Sequence, residues 1–177
     1  NNFHVDSSFT VLNGSATAFI ITSRSVTFSG TVTLTNLDTF TVTSSTVEFD
    51  GTTLLTSASK SFNNLNIGNG GASATVTVID DLTADTITMT AGALSIPAGS
   101  TITISQTNAS NDLTIGIPIS KAAGSDSTLT IKSAKSIIVN QTISSASNKL
   151  NLILDADSTG AGSGYINIAN SITSNGG

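Results

Sequence analysis

Residues 75–96 read Thr75-Val-Thr-Val-Ile-Asp-Asp-Leu-Thr-Ala-Asp-Thr-Ile-Thr-Met-Thr-Ala-Gly-Ala-Leu-Ser-Ile96. Three runs within this stretch, 75–78, 82–90 and 93–96, place apolar side chains on alternate positions. That is the period of a strand with one buried face. Asp80-Asp81 and Ala91-Gly92 interrupt the runs and read as corners. Short strands joined by tight corners predict one coil of a β-solenoid.

The same layout recurs on both sides. A Thr-x-Thr ladder runs through Thr31-Val-Thr-Leu34, Thr52-Thr-Leu-Leu55, Thr75-Val-Thr-Val78, Thr101-Ile-Thr-Ile104, Thr128-Leu-Thr-Ile131 and Leu150-Asn-Leu-Ile-Leu154. Its steps of roughly 21 to 27 residues are typical of short-period repeat architectures. A second ladder takes in Phe40-Thr-Val42, Phe62 to Ile67, Leu82 to Met89, Leu113 to Ile117, Ile137 to Val139 and Tyr165 to Ile168. A third holds Val47-Glu-Phe49, Leu94-Ser-Ile96, Ile143 and Ile172. Gly68-Asn-Gly-Gly71 and Ala122-Ala-Gly-Ser-Asp126 read as corners that absorb the variable spacing.

One coil cannot bury its apolar face alone, so the coils must stack. Stacking predicts an inward column of Val32, Val76, Ile102 and Leu129, and a second of Leu34, Val78, Ile104 and Ile131, with Thr stripes outside. About seven coils at the 4.8 Å spacing of parallel strands would span on the order of 35 Å. The crossover preference makes the coil right-handed. The expectation is therefore an all-β chain, 1–177, forming a single right-handed parallel β-helix. The alternative is a tandem of immunoglobulin-like β-sandwiches, which also gives short, regularly spaced strands. A sandwich needs hairpin turns, and Asn13-Gly14 and Asp50-Gly51 are two candidate pairs. Seven phenylalanines fall between Phe3 and Phe62 and none after, so the N-terminal half should have the bulkier core.

Composition narrows the function. Charged residues are 10% of the chain and the net charge is -5, while Ser and Thr fill about a third of it. Arg24, Lys60, Lys121, Lys132, Lys135 and Lys149 read as scattered cations, which argues against nucleic acid and anionic membrane surfaces as partners. No apolar run reaches the length of a membrane-spanning helix. The chain has no cysteine, which suits an extracellular protein whose stacking replaces disulfides. The unfinished pattern at Ser174-Asn-Gly-Gly177 suggests a segment of a longer or polymerising chain.

Two stretches carry a resemblance. Asn148-Lys-Leu-Asn-Leu-Ile-Leu-Asp-Ala-Asp-Ser-Thr-Gly-Ala-Gly-Ser-Gly-Tyr-Ile-Asn-Ile-Ala-Asn-Ser-Ile-Thr-Ser-Asn-Gly-Gly177 resembles repeats of filamentous-haemagglutinin-like adhesins. Thr46-Val-Glu-Phe-Asp-Gly51, Phe62-Asn-Asn-Leu-Asn-Ile67 and Asp80-Asp-Leu-Thr-Ala84 look like β-helix repeats of large bacterial surface proteins. The resemblance implies a right-handed parallel β-helix at the cell surface or in an extracellular fibre, and carries over no catalytic residue.

Candidate chemistry is sparse. Asp155-Ala-Asp157-Ser-Thr159-Gly160 matches the start of a calcium loop, with oxygens at positions 1, 3 and 5 and glycine at 6. Ile166 stands where the bidentate Glu should be, so a solvated corner is the plainer reading. Asp80, Asp81 and Asp85, with Asp112 and Glu48 brought near by stacking, could serve a carbohydrate-active enzyme; the plainer reading is corner and surface charge. His4 is the sole histidine and reads as a surface or capping residue. The Thr stripes could bind glycans or ice, but Thr is also simply a good exposed strand residue. Asn13-Gly-Ser15, Asn108-Ala-Ser110 and Asn140-Gln-Thr142 match glycosylation sequons by chance in so Ser/Thr/Asn-rich a chain. The function expected is structural and non-enzymatic: a segment of a secreted bacterial adhesin or fibre, self-associating along its axis or continuing in the same chain, without a cofactor.

Overall fold

The computed structural model describes residues 3–11, 18–68 and 74–177. The Asn13-Gly14 pair, the first sequon and most of the Gly68–Gly71 corner lie outside the described residues.

Every strand pairing among the described residues is parallel, which rules out the sandwich and leaves the expected β-solenoid. The chain climbs by three faces per coil. The first level holds β1 (Phe3–Val5), β2 (Phe9–Thr10) and β3 (Ala18–Ile20); the second, β4 (Ser25–Phe28), β5 (Val32–Thr33) and β6 (Thr39–Thr41). Then come β7 (Thr46–Phe49), β8 (Thr52–Thr56), β9 (Ser61–Ile67), β10 (Ala74–Val78), β11 (Leu82–Met89), β12 (Gly92–Ile96) and β13 (Thr101–Gln106). The upper levels hold β14 (Leu113–Ile115), β15 (Ile119–Lys121), β16 (Ser127–Ser133), β17 (Ile137–Val139), β18 (Ile143–Ser145), β19 (Leu150–Ala156), β20 (Ile166–Ile168) and β21 (Ile172–Thr173).

One face is a sheet of eight strands, β2-β5-β8-β10-β12-β15-β18-β21. A second eight-stranded sheet, β1-β4-β7-β9-β11-β13-β16-β19, wraps round a corner, because β9 and β11 each span two faces. The alternating run read at 82–90 therefore forms one strand, but a bent one. In β11 the buried alternation Leu82, Ala84 slips by one at Asp85-Thr86 before resuming at Ile87 and Met89. β9 slips in the same way at Asn63-Asn64. Two adjacent half-buried residues mark the point where the strand turns the edge of the prism.

The expected ladders need correction. Thr31–Leu34, Thr52–Leu55 and Thr75–Val78 run along one face, but Thr101–Ile104, Thr128–Ile131 and Leu150–Leu154 run along the next. The true neighbour of Val76 is Leu94, and Val32 sits on Leu55. Ile102 over Leu129 and Ile104 over Ile131 hold as expected. The slip arises at the short coil between Val76 and Leu94. All three faces carry the same alternation, so a short coil looks like a skipped face. That coil closes tightly at Gly92 (φ 103°), where a Cβ would run into the Ala74 carbonyl.

The core is a set of columns along the axis. Thr53, Val76, Leu94, Ile119, Ile143 and Ile172 form one, and Val26, Val47, Leu65 and Ile87 another. The phenylalanines make the lower core bulky, as expected. Ring centroids lie 5.2 Å apart for Phe9–Phe19, 5.7 Å for Phe19–Phe40 and 5.3 Å for Phe40–Phe62, distances at which aromatic pairs attract beyond their area burial.

Candidate functional site

Serine and aspartate hold the corners. Ser45 Oγ donates to the carbonyl of Ile21 at 3.0 Å, and Ser127 Oγ to that of Pro97 at 2.9 Å. Asp80 Oδ1 and Oδ2 accept from the N–H groups of Ser57 and Ala58, both at 2.7 Å. Asp81 Oδ1 accepts from Thr103 N at 2.7 Å. Asp80 and Asp81 therefore stand at a corner, as expected, and each is spent on binding a neighbouring coil.

The acidic residues named as candidates separate. Asp85 Oδ2 accepts from Asn108 Nδ2 at 3.1 Å. Asp112 pairs with Lys135 at 3.3 Å, and Lys135 Nζ also donates to Ser110 O at 3.3 Å. Glu48 lies on β7, between Thr27 and Asn66 of the adjacent strands, and is nearly buried. Among the described residues no three His, Cys, Asp or Glu side chains group as a metal site. Asp155 of the calcium candidate faces Lys132 at 3.6 Å. Asp157 takes a left-handed conformation (φ 57°), and its Oδ2 accepts from Gly162 N at 2.7 Å. Thr159 is exposed. His4 Nε2 reaches Asp6 Oδ1 at 2.8 Å on the surface.

Asp112 borders a groove of about 280 Å³ with Ile87, Met89 and Thr114. Here β11 and β14 run side by side in separate sheets. Gln106, 1% exposed, bridges the gap: its Oε1 accepts from Ile87 N at 2.9 Å and its Nε2 donates to Asn111 O at 2.8 Å. Asp112 is the one carboxylate lining this groove, and its partner is a lysine. Paired-carboxylate chemistry needs two.

Lys121, one of the scattered cations, is not at the surface. It is fully buried in the column that runs Phe9, Val32, Leu55 and Val78 below and Ile96, Lys121 and Ser145 above. Its Nζ donates to the carbonyls of Ala122 (3.0 Å), Gly124 (3.3 Å) and Ser147 (2.8 Å). Three donors meet three acceptors, so the ammonium is satisfied without a carboxylate. Sequence reading missed it; the signal was its place two residues after Ile119, on the inward alternation.

The outward Thr array is short. Thr101 and Thr103 neighbour Thr128 and Thr130, but the next level offers Asn151 and Ile153.

The ends of the prism are unlike its faces. At the lower end Phe3 and Ile20 are exposed, and an apolar hollow of about 350 Å³ opens between Phe3, Phe19 and Ile21 beside Arg24. At the upper end Ile153, Tyr165, Ile166 and Ile168 are about half exposed. Comparison with family models, curated proteins and solved structures gives no match.

Proposed function

We propose that this chain is a structural β-solenoid segment of a secreted bacterial adhesin or extracellular fibre, joined along its axis to further coils or to further copies. One observation carries the reading: apolar columns run the length of the prism and emerge at both ends, with Phe3 and Phe19 at one and Ile166 and Ile168 at the other. Unpaired strand edges with apolar rows beside them favour strand addition. The side faces, rich in Ser and Thr, would be the surface shown to solvent or to surface glycans.

The test is negative-stain electron microscopy of the purified 177-residue chain across a concentration series, with light scattering in parallel. Rods that lengthen with concentration are the expected result. Single particles at every concentration would remove axial self-association from the reading.

A further inference from the structure

Two strand edges face each other in the middle of the prism with no ladder between them. Residues 86–89 of β11 pair below with β9, while above β11 the strand β13 takes only residues 82–84. β14 pairs above with β17 and has no strand pairing below. The groove of about 280 Å³ opens at this break, with paired coils on both sides of it. Ile87 and Met89 are inward residues, 4% and 5% exposed, yet both line it. Thr86, Thr88 and Thr114 add hydroxyls and Asp112 a carboxylate.

The same face carries a row of uncommitted polar side chains that leads to the groove. Thr27, Glu48, Asn66 and Thr88 are successive neighbours across β4, β7, β9 and β11. Glu48 is 7% exposed, and among the described residues it is the one side-chain carboxylate with neither a hydrogen bond nor an ion pair. Asp112 makes no hydrogen bond. Its Oδ1 is buried beside Lys135 Nζ at 3.3 Å, so Oδ2 is the free acceptor. Asp80, Asp81 and Asp85, by contrast, are spent on neighbouring coils. A nearly buried carboxylate without a donor costs free energy, and a ligand hydroxyl would relieve it.

We propose that this face binds a neutral oligosaccharide, with one sugar ring in the groove between β11 and β14 and the chain lying along the axis over Thr88, Asn66 and Glu48. This rests on the surface-glycan contact named above and fixes where that contact lies; it does not require axial stacking. The chemistry selects the class. Glu48 and Asp112 accept hydrogen bonds, while Asn66 and the threonines both donate and accept, which matches the hydroxyls of a sugar. The C–H face of the ring would lie on Ile87 and Met89. An anionic ligand would meet Glu48, Asp112 and a net charge of -5. A metal ion would find no three acidic groups together among the described residues. An added peptide strand has no room, because a Cβ on Gly116 would already run into the Met89 carbonyl. From Glu48 to β14 is three strand steps, roughly 14 Å at the 4.8 Å spacing, so the occupant has a few rings.

The test is an amide NMR titration of the 177-residue chain, below the concentration at which it scatters light. The neutral probes are cellohexaose, xylohexaose, mannohexaose and N-acetylchitohexaose; the charged probes are hexagalacturonate and calcium chloride. At least one neutral probe should shift the amides of Asn66, Thr88, Met89 and Thr114 ahead of Thr77 and Thr130, which lie on the other two faces. With that probe, Glu48→Gln and Asp112→Asn keep the side-chain shape and should each weaken binding about tenfold or more. Thr130→Ala should bind as the parent does. Unchanged spectra away from this face show that each variant is folded. The proposal is overturned if no neutral probe moves these amides at millimolar concentration, if the shifts fall on another face, or if a charged probe moves the same amides more strongly. It is also overturned if either carboxylate variant binds as tightly as the parent. Light scattering on more concentrated samples reports axial association separately, so either reading can fail alone.

Discussion

Asp80 and Asp81 are adjacent in sequence and bind in opposite directions along the solenoid axis. Asp80 reaches down to the corner after β8, accepting from Ser57 N and Ala58 N, and Asp81 reaches up to Thr103 N in β13. The lower corner is strained: Ala58 (φ 52°) and Ser59 (φ 62°) are both left-handed, a conformation that costs roughly 1–2 kcal/mol for an ordinary residue. One carboxylate thus clamps a strained turn, while the other stitches its own coil to the next.

The two substitutions should therefore differ. Asp80→Ala strands two N–H groups at a half-buried corner, and a hydrogen bond to a charged group is worth about 1.5–3 kcal/mol. We expect a loss of about 2–4 kcal/mol, read as a lower urea midpoint. Asp81→Ala should cost less, because Asp81 is exposed and holds a single N–H. Equal losses would mean that the clamp on Ala58 contributes nothing beyond the stitch.

The corner role of Asp80 and Asp81 was legible in the sequence, as were the coil repeat, the parallel stacking and the aromatic lower core. What escaped was the assignment of strands to faces. Thr-x-Thr looks the same on every face, so alternation gives inward and outward but not which side of the prism. Burial of polar residues escaped for a related reason. Thr53 takes an inward position in line with Val76, being close to valine in shape, and leaves Leu54 outside. Ser45, Ser57, Ser127 and Ser133 are buried at corners, where their size lets the chain turn. The Ser/Thr-rich composition thus hides two populations: much of the Thr lies outward on strands, and part of the Ser lies buried at turns. Of the candidate sites, sequence supplied the acidic residues, but only the fold shows that Asp85 and Asp112 have separate partners.

Lys121 gives the second prediction. Its inward position suggests Lys121→Ile, which would extend the column above Ile96. That change leaves the carbonyls of Ala122, Gly124 and Ser147 without their shared donor. An unmet buried polar group costs about 1–3 kcal/mol, but Ala122 and Gly124 are exposed and Ser147 half-buried, so water replaces part of the loss and the apolar fill offsets more. The net expectation is destabilisation by about 1–3 kcal/mol, with local loosening of residues 122–126 and 146–149. Hydrogen exchange should show those two corners opening first. A variant more stable than the parent would show that filling the column outweighs the carbonyl cage.

Gln106 gives the third. Its side chain stands in for strand pairing where β11 and β14 fall in separate sheets. Gln106→Leu keeps much of the volume and removes both hydrogen bonds. Ile87 N is then unsatisfied in the core, while Asn111 O loses its donor at an exposed corner, for an expected loss of about 1–3 kcal/mol. Amide exchange at Ile87 should accelerate far more than at Val76, which lies in continuous ladder pairing. Equal acceleration at both sites would indicate general loosening of the solenoid instead of a local bridge.

The open upper end gives the fourth. Ile168 is 52% exposed and its strand, β20, is the outermost of its sheet. Its row continues downward through Val139, which is fully buried, so the same position one level deeper is core. Exposure at the end and burial one level below is the condition under which a charge separates folding from association. Within a single chain, the charged head of Ile168→Lys can turn to water along its flexible stem, so the thermal midpoint should move by only a degree or two. In a stacked joint the same ammonium would be enclosed among apolar side chains. Burying an unpaired charge costs several kcal/mol, and every 1.4 kcal/mol is tenfold in affinity. Association measured by light scattering should weaken by at least about a hundredfold, while circular dichroism stays that of the parent. Ile168→Val, with one methylene fewer, should associate nearly as well as the parent. If Ile168→Lys associates as strongly as the parent, the contact between copies lies on a side face, and the exposed apolar end has another occupant.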